Sequence, residues 1–510
     1  MIVTALTFFA VLLHGYHPYA EDGGVYLPEI KRLLDPGLYP FGTGFVVEHL
    51  RFSLFAPAMA GLVRESHLSV EMVLLLVHLA TFWATLFAAW LLAARCYPSR
   101  EARGSAVALL AVWMTLPIAG TSLMLMDPYV TARSLSTPCA LLALVGAMEF
   151  LLPQFEMDDE PTRQRWRGAA LCCGALAGAG VMHPLMATYA LGSVLLLGAL
   201  LSPSRLVRVW GTVGLGLTAV AMAAGLYLSA SPESDIYRKV LLTRDYWFLS
   251  QWHWYEWIGL LAPLLILSVV GTTRRKNGDA ARVGLARMAV AAGLTATVIA
   301  MVFARTGMAT HLVARMQPLR ILQLVYVVMI IMLGSALGER VLRRRPMRWM
   351  VVFSLLAAVM MAGEQRTFPA SKHLELPDAL TWIASPERGN SFERAFAWIG
   401  RNTPKDAVFA MDAQYITKPG EDAQSFRAIA ERSVLPDYSK DGGVVTNKPE
   451  LATAWLQGQV AQAELNAEPD AQRLDALRPL GVTWVVLERD AATGFLCEYA
   501  NEAVKVCRLP

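Results

Sequence analysis

The sequence predicts an α-helical polytopic membrane protein of about eleven transmembrane helices, followed by a C-terminal extracytoplasmic α/β domain. Three observations predict it. Of 510 residues, 55% are hydrophobic and 17% charged, outside the range of about 45–50% apolar and 25% charged that soluble domains keep. Apolar runs of roughly the 17–25 residues needed to cross a bilayer recur through the first two thirds of the chain. After Gln365 those runs stop and charge becomes dense, with 16 basic against 20 acidic residues. The expected division is therefore a membrane domain over 1–364 and a water-exposed domain over 365–510.

The apolar runs lie near 1–14, 68–94, 104–120, 135–152, 168–182, 185–202, 209–230, 257–272, 288–304, 321–338 and 349–363. An odd number of crossings would leave the two ends on opposite sides. The first run is short, within the size of a signal-peptide core, but no A-x-A cleavage site follows it and its flank HGYHPY is aromatic, as membrane interfaces prefer. It reads as a retained first helix. The fifth run, GAALCCGALAGAGVM, is rich in Gly and Ala, which suits close helix packing.

Lys and Arg decide orientation, because cytoplasmic loops hold positive charge that resists translocation. Dense basic groups recur in alternate loops: Arg95/Arg100/Arg103, Arg163/Arg165/Arg167, Arg205/Arg208, Arg274/Arg275/Lys276/Arg282/Arg287 and Arg340/Arg343/Arg344/Arg345/Arg348. These are the expected inner loops. The sparser set, including 15–67, 121–134, 231–256 and 305–320, faces outward, as does everything after residue 363, and the N-terminus lies inside.

In the C-terminal part, SFERAFAWIGRNTPKDAVFAMD reads as a Ser-capped amphipathic helix, a Thr-Pro turn and a strand. Helical patterns follow near 423–431 and 450–478, VTWVVLE is a buried strand, and FLCEYANEAVKVCRL is a terminal hairpin. Cys497 and Cys507 flank the hairpin turn. In an oxidising compartment they would form a disulfide; two unpaired buried cysteines is the other reading. The chain has no internal repeat of fixed period, and the echo of EDGGV in DGGVV is too short to carry meaning.

The outward loops carry the candidate chemistry. In the first, YLPEIKRLLDP and RFSLFAPAMAGLV have apolar positions at helical spacing and read as amphipathic helices lying along the lipid surface. Glu21 and Asp22 precede the first of them, followed by Gly23-Gly24, which would let backbone approach a ligand closely. Ionisable groups at membrane depth are costly and so are functional candidates; a helix cap or solvated acid is the competing reading. In LMLMDPYVTARSLSTP, Arg133 would bind a phosphate or pair with Asp127. His183 before Pro184 reads as a hydrogen-bonded structural residue before it reads as a ligand. TRDYWFLSQWHWYEW holds Arg244, a candidate for substrate binding, and Trp247, Trp252, Trp254 and Trp257, expected as an interfacial belt. In ARTGMATHLVARMQPLRILQ, Arg305, Arg315 and Arg320 run against the positive-inside trend and call for an anionic partner, either lipid headgroups or a phosphate.

HPYAEDGGVYLPEIKRLLDPGLYP, followed by MDPYVTARSLSTP, HP and MQPLR, resembles the GT-C superfamily of membrane glycosyltransferases, in a bacterial branch; WIGRNTPKDAVF, FRAIAERSV and EYANEAVKVCRL are similar to the extracytoplasmic domain such proteins carry. The resemblance implies a GT-C-like multi-spanning fold in the bacterial inner membrane. It also implies transfer of a sugar from a polyprenyl-phosphate-linked lipid donor to a glycan, lipid or protein acceptor on the outer face. Asp22 then stands in the place of the first-loop catalytic acid with Glu21 beside it, and Asp127, Arg133, His183, Arg244, Arg315 and Arg320 are the expected substrate-binding set. Inverting transfer would have Asp22 deprotonate the acceptor hydroxyl, with Arg133, Arg315 or Arg320 stabilising the leaving phosphate. A divalent cation is possible for the family, but no second acidic pair stands in a later outward loop to bind one. Membrane lipids are expected partners and nucleic acid is not. The alternatives are a transporter or flippase for a lipid-linked or anionic solute, and a catalytically silent scaffold for envelope assembly. Transporters usually show internal symmetry, which these halves lack.

Overall fold

The computed structural model describes residues 1–49, 51–152, 161–272, 280–369, 371–380, 390–417 and 425–510. Helices occupy the predicted apolar runs, and among the described residues seven are long and apolar enough to cross a membrane: Val70–Cys96, Ala132–Leu151, Val207–Ser229, Trp254–Thr272, Ala280–Phe303, Leu312–Leu342 and Pro346–Thr367. The other apolar runs of the expected eleven form shorter or more polar helices. Ile2–His14 and Pro184–Leu200 are apolar but shorter, Arg100–Val112 has only 13 residues, and Pro161–Met182 carries Arg163, Arg165 and Arg167 in its first turns. The chain is a multi-pass membrane protein.

Helix packing uses small residues, since lipid offers no hydrophobic drive for helix association and close backbone approach must replace it. A Cβ on Gly146 would lie 2.6 Å from the Gly168 carbonyl, and one on Gly168 would lie 2.7 Å from the Gly146 carbonyl. The Gly/Ala-rich fifth run thus crosses Ala132–Leu151 at a glycine–glycine contact. Polar caps begin several helices: Ser69 accepts the Met72 amide at 3.2 Å, and Thr131 with Ser134 forms a capping box.

The loops read as inner meet one another. Arg344 pairs with Glu101 at 2.8 Å, Ser99 bonds Glu339 at 3.3 Å, and Arg95 pairs with Glu149. Arg274, Arg275 and Lys276 lie outside the described residues. The loops read as outer gather against the C-terminal part instead.

That part is built on a five-stranded sheet of order β2-β1-β3-β5-β4: β1 Val408–Ala410, β2 Ser433–Val434, β3 Trp484–Glu488, β4 Leu496–Ala500 and β5 Val504–Arg508. β1 runs parallel to β2 and β3, while β3, β5 and β4 are antiparallel. Side chains alternate between faces, as the period of two requires. Phe409, Trp484, Val486 and Val506 pack on Phe392, Phe396 and Ile399 of the Ser391–Asn402 helix; Val408, Ala410, Val485 and Leu487 pack on Leu465 and Leu477. Cys497 and Cys507 face each other across the hairpin and are disulfide-bonded. The pattern at 450–478 resolves into two helices, Ala452–Gln462 and Asp470–Leu477. Of the pattern at 423–431, Phe426–Ala430 is helical, and 423–424 lie outside the described residues. The helix Lys440–Asn447 has no counterpart in the sequence reading, because its Gly442-Gly443 pair and β-branched residues are poor helix formers.

Two further expectations are corrected. The first-loop helices, Gly23–Leu34 and Phe55–Ser66, do form, but they bury Tyr26, Leu27, Ile30, Phe55 and Met59 against each other and against Leu74, Val130 and Ala428, not against lipid. Trp247 and Trp252 are buried, and only Trp254 of the four tryptophans is exposed, so they do not make a belt.

Candidate active site

The first loop leaves the Ile2–His14 helix as a pinned strand. Tyr16 exchanges backbone hydrogen bonds with His373 and Glu375, both 2.9 Å, and the His17 amide donates to Pro128 at 2.8 Å. The chain then turns through Glu21, whose φ of 48° lies in the left-handed region. Non-glycine residues held there mark positions that surrounding contacts over-determine. Asp22 follows at the N-terminus of Gly23–Leu34, yet its side chain makes no capping hydrogen bond. The helix-cap reading of Asp22 is thereby overturned. Gly23 and Gly24 serve packing, not a ligand: a Cβ on Gly23 would meet the Pro18 carbonyl at 2.5 Å, and one on Gly24 would meet Ser425 Cβ at 2.1 Å.

Charge converges on Asp22 from three directions. Lys440, from the C-terminal part, donates to Asp22 Oδ1 at 3.1 Å and also to Glu21 Oε2. Arg133 Nη2 stands 4.0 Å from Asp22 Oδ2 and donates to Asp127 Oδ2 at 2.6 Å. His49 and Arg320 lie within electrostatic reach. Burial pushes the Asp22 carboxyl up, but the Lys440 ammonium and Arg133 guanidinium outweigh it and hold the group well below the usual carboxylate range. His49 is pushed down to about 4 by burial and is neutral near pH 7. Side-chain exposure separates the two aspartates: 36% for Asp22 against 4% for Asp127. Asp22 is the accessible acid, and Asp127 is the buried counter-charge of Arg133.

The other expected substrate-binding residues fall into two groups. Arg244 and Arg315 are engaged elsewhere. Arg244 donates to the carbonyls of Ser439 at 2.6 Å and Tyr438 at 3.0 Å, and Arg315 donates to the Thr446 carbonyl at 3.0 Å. Both therefore fasten the Lys440–Asn447 helix through backbone carbonyls in and beside it. His183 accepts the Met186 amide at 3.4 Å and begins the Pro184–Leu200 helix, as the structural reading had it.

Arg320 is different. Its side chain has no carboxylate or hydrogen-bond partner among the described residues, and its Nε is buried and unpaired. It stands at the meeting of two hollows, one apolar and lined by Leu141, Met186, Tyr189, Leu324 and Val327, the other lined by Thr121, Tyr246 and Trp247. A guanidinium so placed carries an unmet demand for an anion.

No protein-family model matches the chain, and no curated protein matches it. Among solved structures it is similar to the archaeal oligosaccharyltransferase AglB from Archaeoglobus fulgidus, solved in complex with an inhibitory peptide and a dolichol-phosphate. The identity is 12% and the TM-score 0.46, over 96% of this chain and 69% of that one. No family is shown by it. The chemistry rests on the residues themselves.

Sequence reasoning missed Lys440 and His49. Lys440 sits in YSKDGGVV, where a lone lysine beside an aspartate looks like solvated surface. Folding brings it onto Glu21 and Asp22, a contact that no local pattern marks.

Proposed function

We propose that this protein is a membrane glycosyltransferase of the GT-C type, transferring a sugar from a polyprenyl-phosphate-linked donor to an acceptor hydroxyl on a glycan, lipid or protein, on the outer face of a bacterial inner membrane. The observation that carries this reading is Arg320, an unpaired guanidinium at the mouth of an apolar hollow between helices and within electrostatic reach of an ionised, accessible Asp22. An apolar recess ending on a lone guanidinium matches a lipid phosphate, with chain below and phosphate above. The orientation that goes with it has the N-terminus inside and the C-terminal part outside, in line with the arginine-rich loops.

In the proposed step the acceptor oxygen attacks the anomeric carbon from the face opposite the phosphate, and its proton passes to Asp22. The bond from the anomeric carbon to the phosphate oxygen breaks, and its electron pair leaves on the phosphate, whose charge Arg320 stabilises. An acid held this low is a weak base at rest. A phosphate arriving beside Arg320 adds negative charge near Asp22 and raises the proton affinity of its carboxylate.

The test is binding of a short-chain polyprenyl phosphate to the full-length protein in nanodiscs. Loss of a hydrogen bond to a charged group costs about 1.5–3 kcal/mol, so Arg320→Ala should weaken binding roughly 10- to 100-fold. Asp22→Asn should bind normally and transfer nothing. Equal binding by Arg320→Ala and wild type, or transfer by Asp22→Asn, would overturn the assignment.

A further inference from the structure

Adjacent carboxylates such as Glu21 and Asp22 invite a bridging divalent cation, but the residues around them do not fit one. Among the described residues, no group of three or more Asp, Glu, His or Cys side chains is placed to hold a metal ion. The space between the two acids is taken by the Lys440 ammonium, which bonds Asp22 Oδ1 at 3.1 Å and Glu21 Oε2.

The helix that carries Lys440 is fastened at both ends. Arg244 holds the carbonyls of Tyr438 and Ser439 before it, at 3.0 and 2.6 Å, and Arg315 holds the Thr446 carbonyl in its last turn at 3.0 Å. Asp437 accepts the amides of Lys440 at 2.5 Å and Asp441 at 3.2 Å, and Arg427 grips Asp441 with two bonds of 2.7 and 2.9 Å. A solvated surface lysine would need none of this. Arg244 and Arg315 thereby help to aim one ammonium at one carboxylate pair.

We propose that Lys440 is a positioning residue of the active site, a fixed cation standing where a divalent metal ion would otherwise bridge Glu21 and Asp22, which keeps the Asp22 carboxylate ionised and aimed. This rests on the reading of Asp22 as the base. Its consequence is that the catalytic centre is composite, with the acid from the first loop and its counter-charge from the C-terminal part.

The other charged groups facing Asp22 are Arg133, Arg320 and His49 on the positive or titratable side, and Glu21 and Asp127 on the negative side. The phenols of Tyr26 and Tyr129 also face it. Arg133 divides its charge between Asp127, at 2.6 Å, and Asp22, at 4.0 Å, while Lys440 makes the closer contact with Asp22, at 3.1 Å.

The experiment is pH-titrated infrared difference spectroscopy on full-length protein in nanodiscs, with the Asp22 carboxyl band identified by its loss in Asp22→Asn. In wild type Asp22 should titrate below its ordinary 3.8, and neither chelator nor added Mn2+ should move the midpoint. Lys440→Met should raise the midpoint by about 1–3 units, the effect of losing an adjacent opposite charge, and Lys440→Arg should leave it low. Arg244→Ala, which frees the helix without touching the acids, should raise it in the same direction and serves if Lys440→Met does not assemble. A midpoint unchanged by Lys440→Met, or one that shifts in wild type on chelation, would overturn the proposal. Transfer by Asp22→Asn would defeat the base assignment and leave the infrared result standing, so the two failures are distinguishable.

Discussion

Asp437 shows how a single carboxyl couples this site to pH. Its burial beside Asp441 raises its pKa from 3.8 to about 7, while its oxygen caps the amides of Lys440 and Asp441. A folded value above the unfolded one means that the contribution to stability is fully present below 3.8 and is lost as pH rises through about 7. Thermal unfolding across pH 4 to 8 should therefore show wild type losing stability relative to Asp437→Asn, whose neutral side chain still accepts the amides. Parallel curves would mean that Asp437 keeps an ordinary pKa. At this scale the candidate site was half legible. Asp22 stood out as an acid after a membrane run, and Arg320 was one of several cations in loops read as outward. Nothing in the residue types separated Arg320 from Arg244 and Arg315, because an arginine's role is set by which acceptors reach it.

At the scale of elements, amphipathic periodicity located Gly23–Leu34 and Phe55–Ser66, since apolar spacing reports that a face will be buried. It does not report what buries it. Lipid was the expected cover, and protein is the actual one: Lys31 reaches Ala428 O at 2.9 Å and Glu431 at 2.7 Å, and the Ser425 amide donates to Tyr19 O at 3.1 Å. Gly24 is where that docking is tightest. A Cβ there would sit 2.1 Å from Ser425 Cβ and 3.2 Å from the Tyr19 carbonyl. Gly24→Ala should cost about 1–3 kcal/mol by overpacking, read as a lowered unfolding temperature. Ser425→Gly in the same chain should restore most of the loss, as neighbours in contact are non-additive. A neutral Gly24→Ala would show that this helix is not docked on the C-terminal part.

At the scale of the whole molecule, the C-terminal part is joined to the membrane helices by charge-assisted bonds to backbone, from Arg244 to Tyr438 and Ser439 and from Arg315 to Thr446. Each is worth about 1.5–3 kcal/mol. Replacing both arginines by alanine should speed amide hydrogen exchange in Lys440–Asn447 by roughly 10- to 100-fold, on the scale of 1.4 kcal/mol per decade. β1, β3 and β5 should keep their protection, because their cores, around Phe409 and Val485, do not involve either arginine. Loss of protection throughout the sheet would mean that the C-terminal part does not hold its fold without the membrane helices.

By itself the sequence determined that this is a multi-pass helical membrane protein with a small α/β sheet after it, and it located the acid at the first helix exit. Hydropathy and period are local properties, written in consecutive residues. Only the tertiary structure decided that seven helices among the described residues are long and apolar enough to cross, that the Asp22 side chain makes no cap, that Arg244 and Arg315 donate to backbone carbonyls around Lys440–Asn447, and that Lys440 reaches Asp22 from 418 residues away along the chain. Those facts depend on which charges meet. A contact across that separation leaves no periodicity in the sequence, and its energy appears only when folding removes both partners from water.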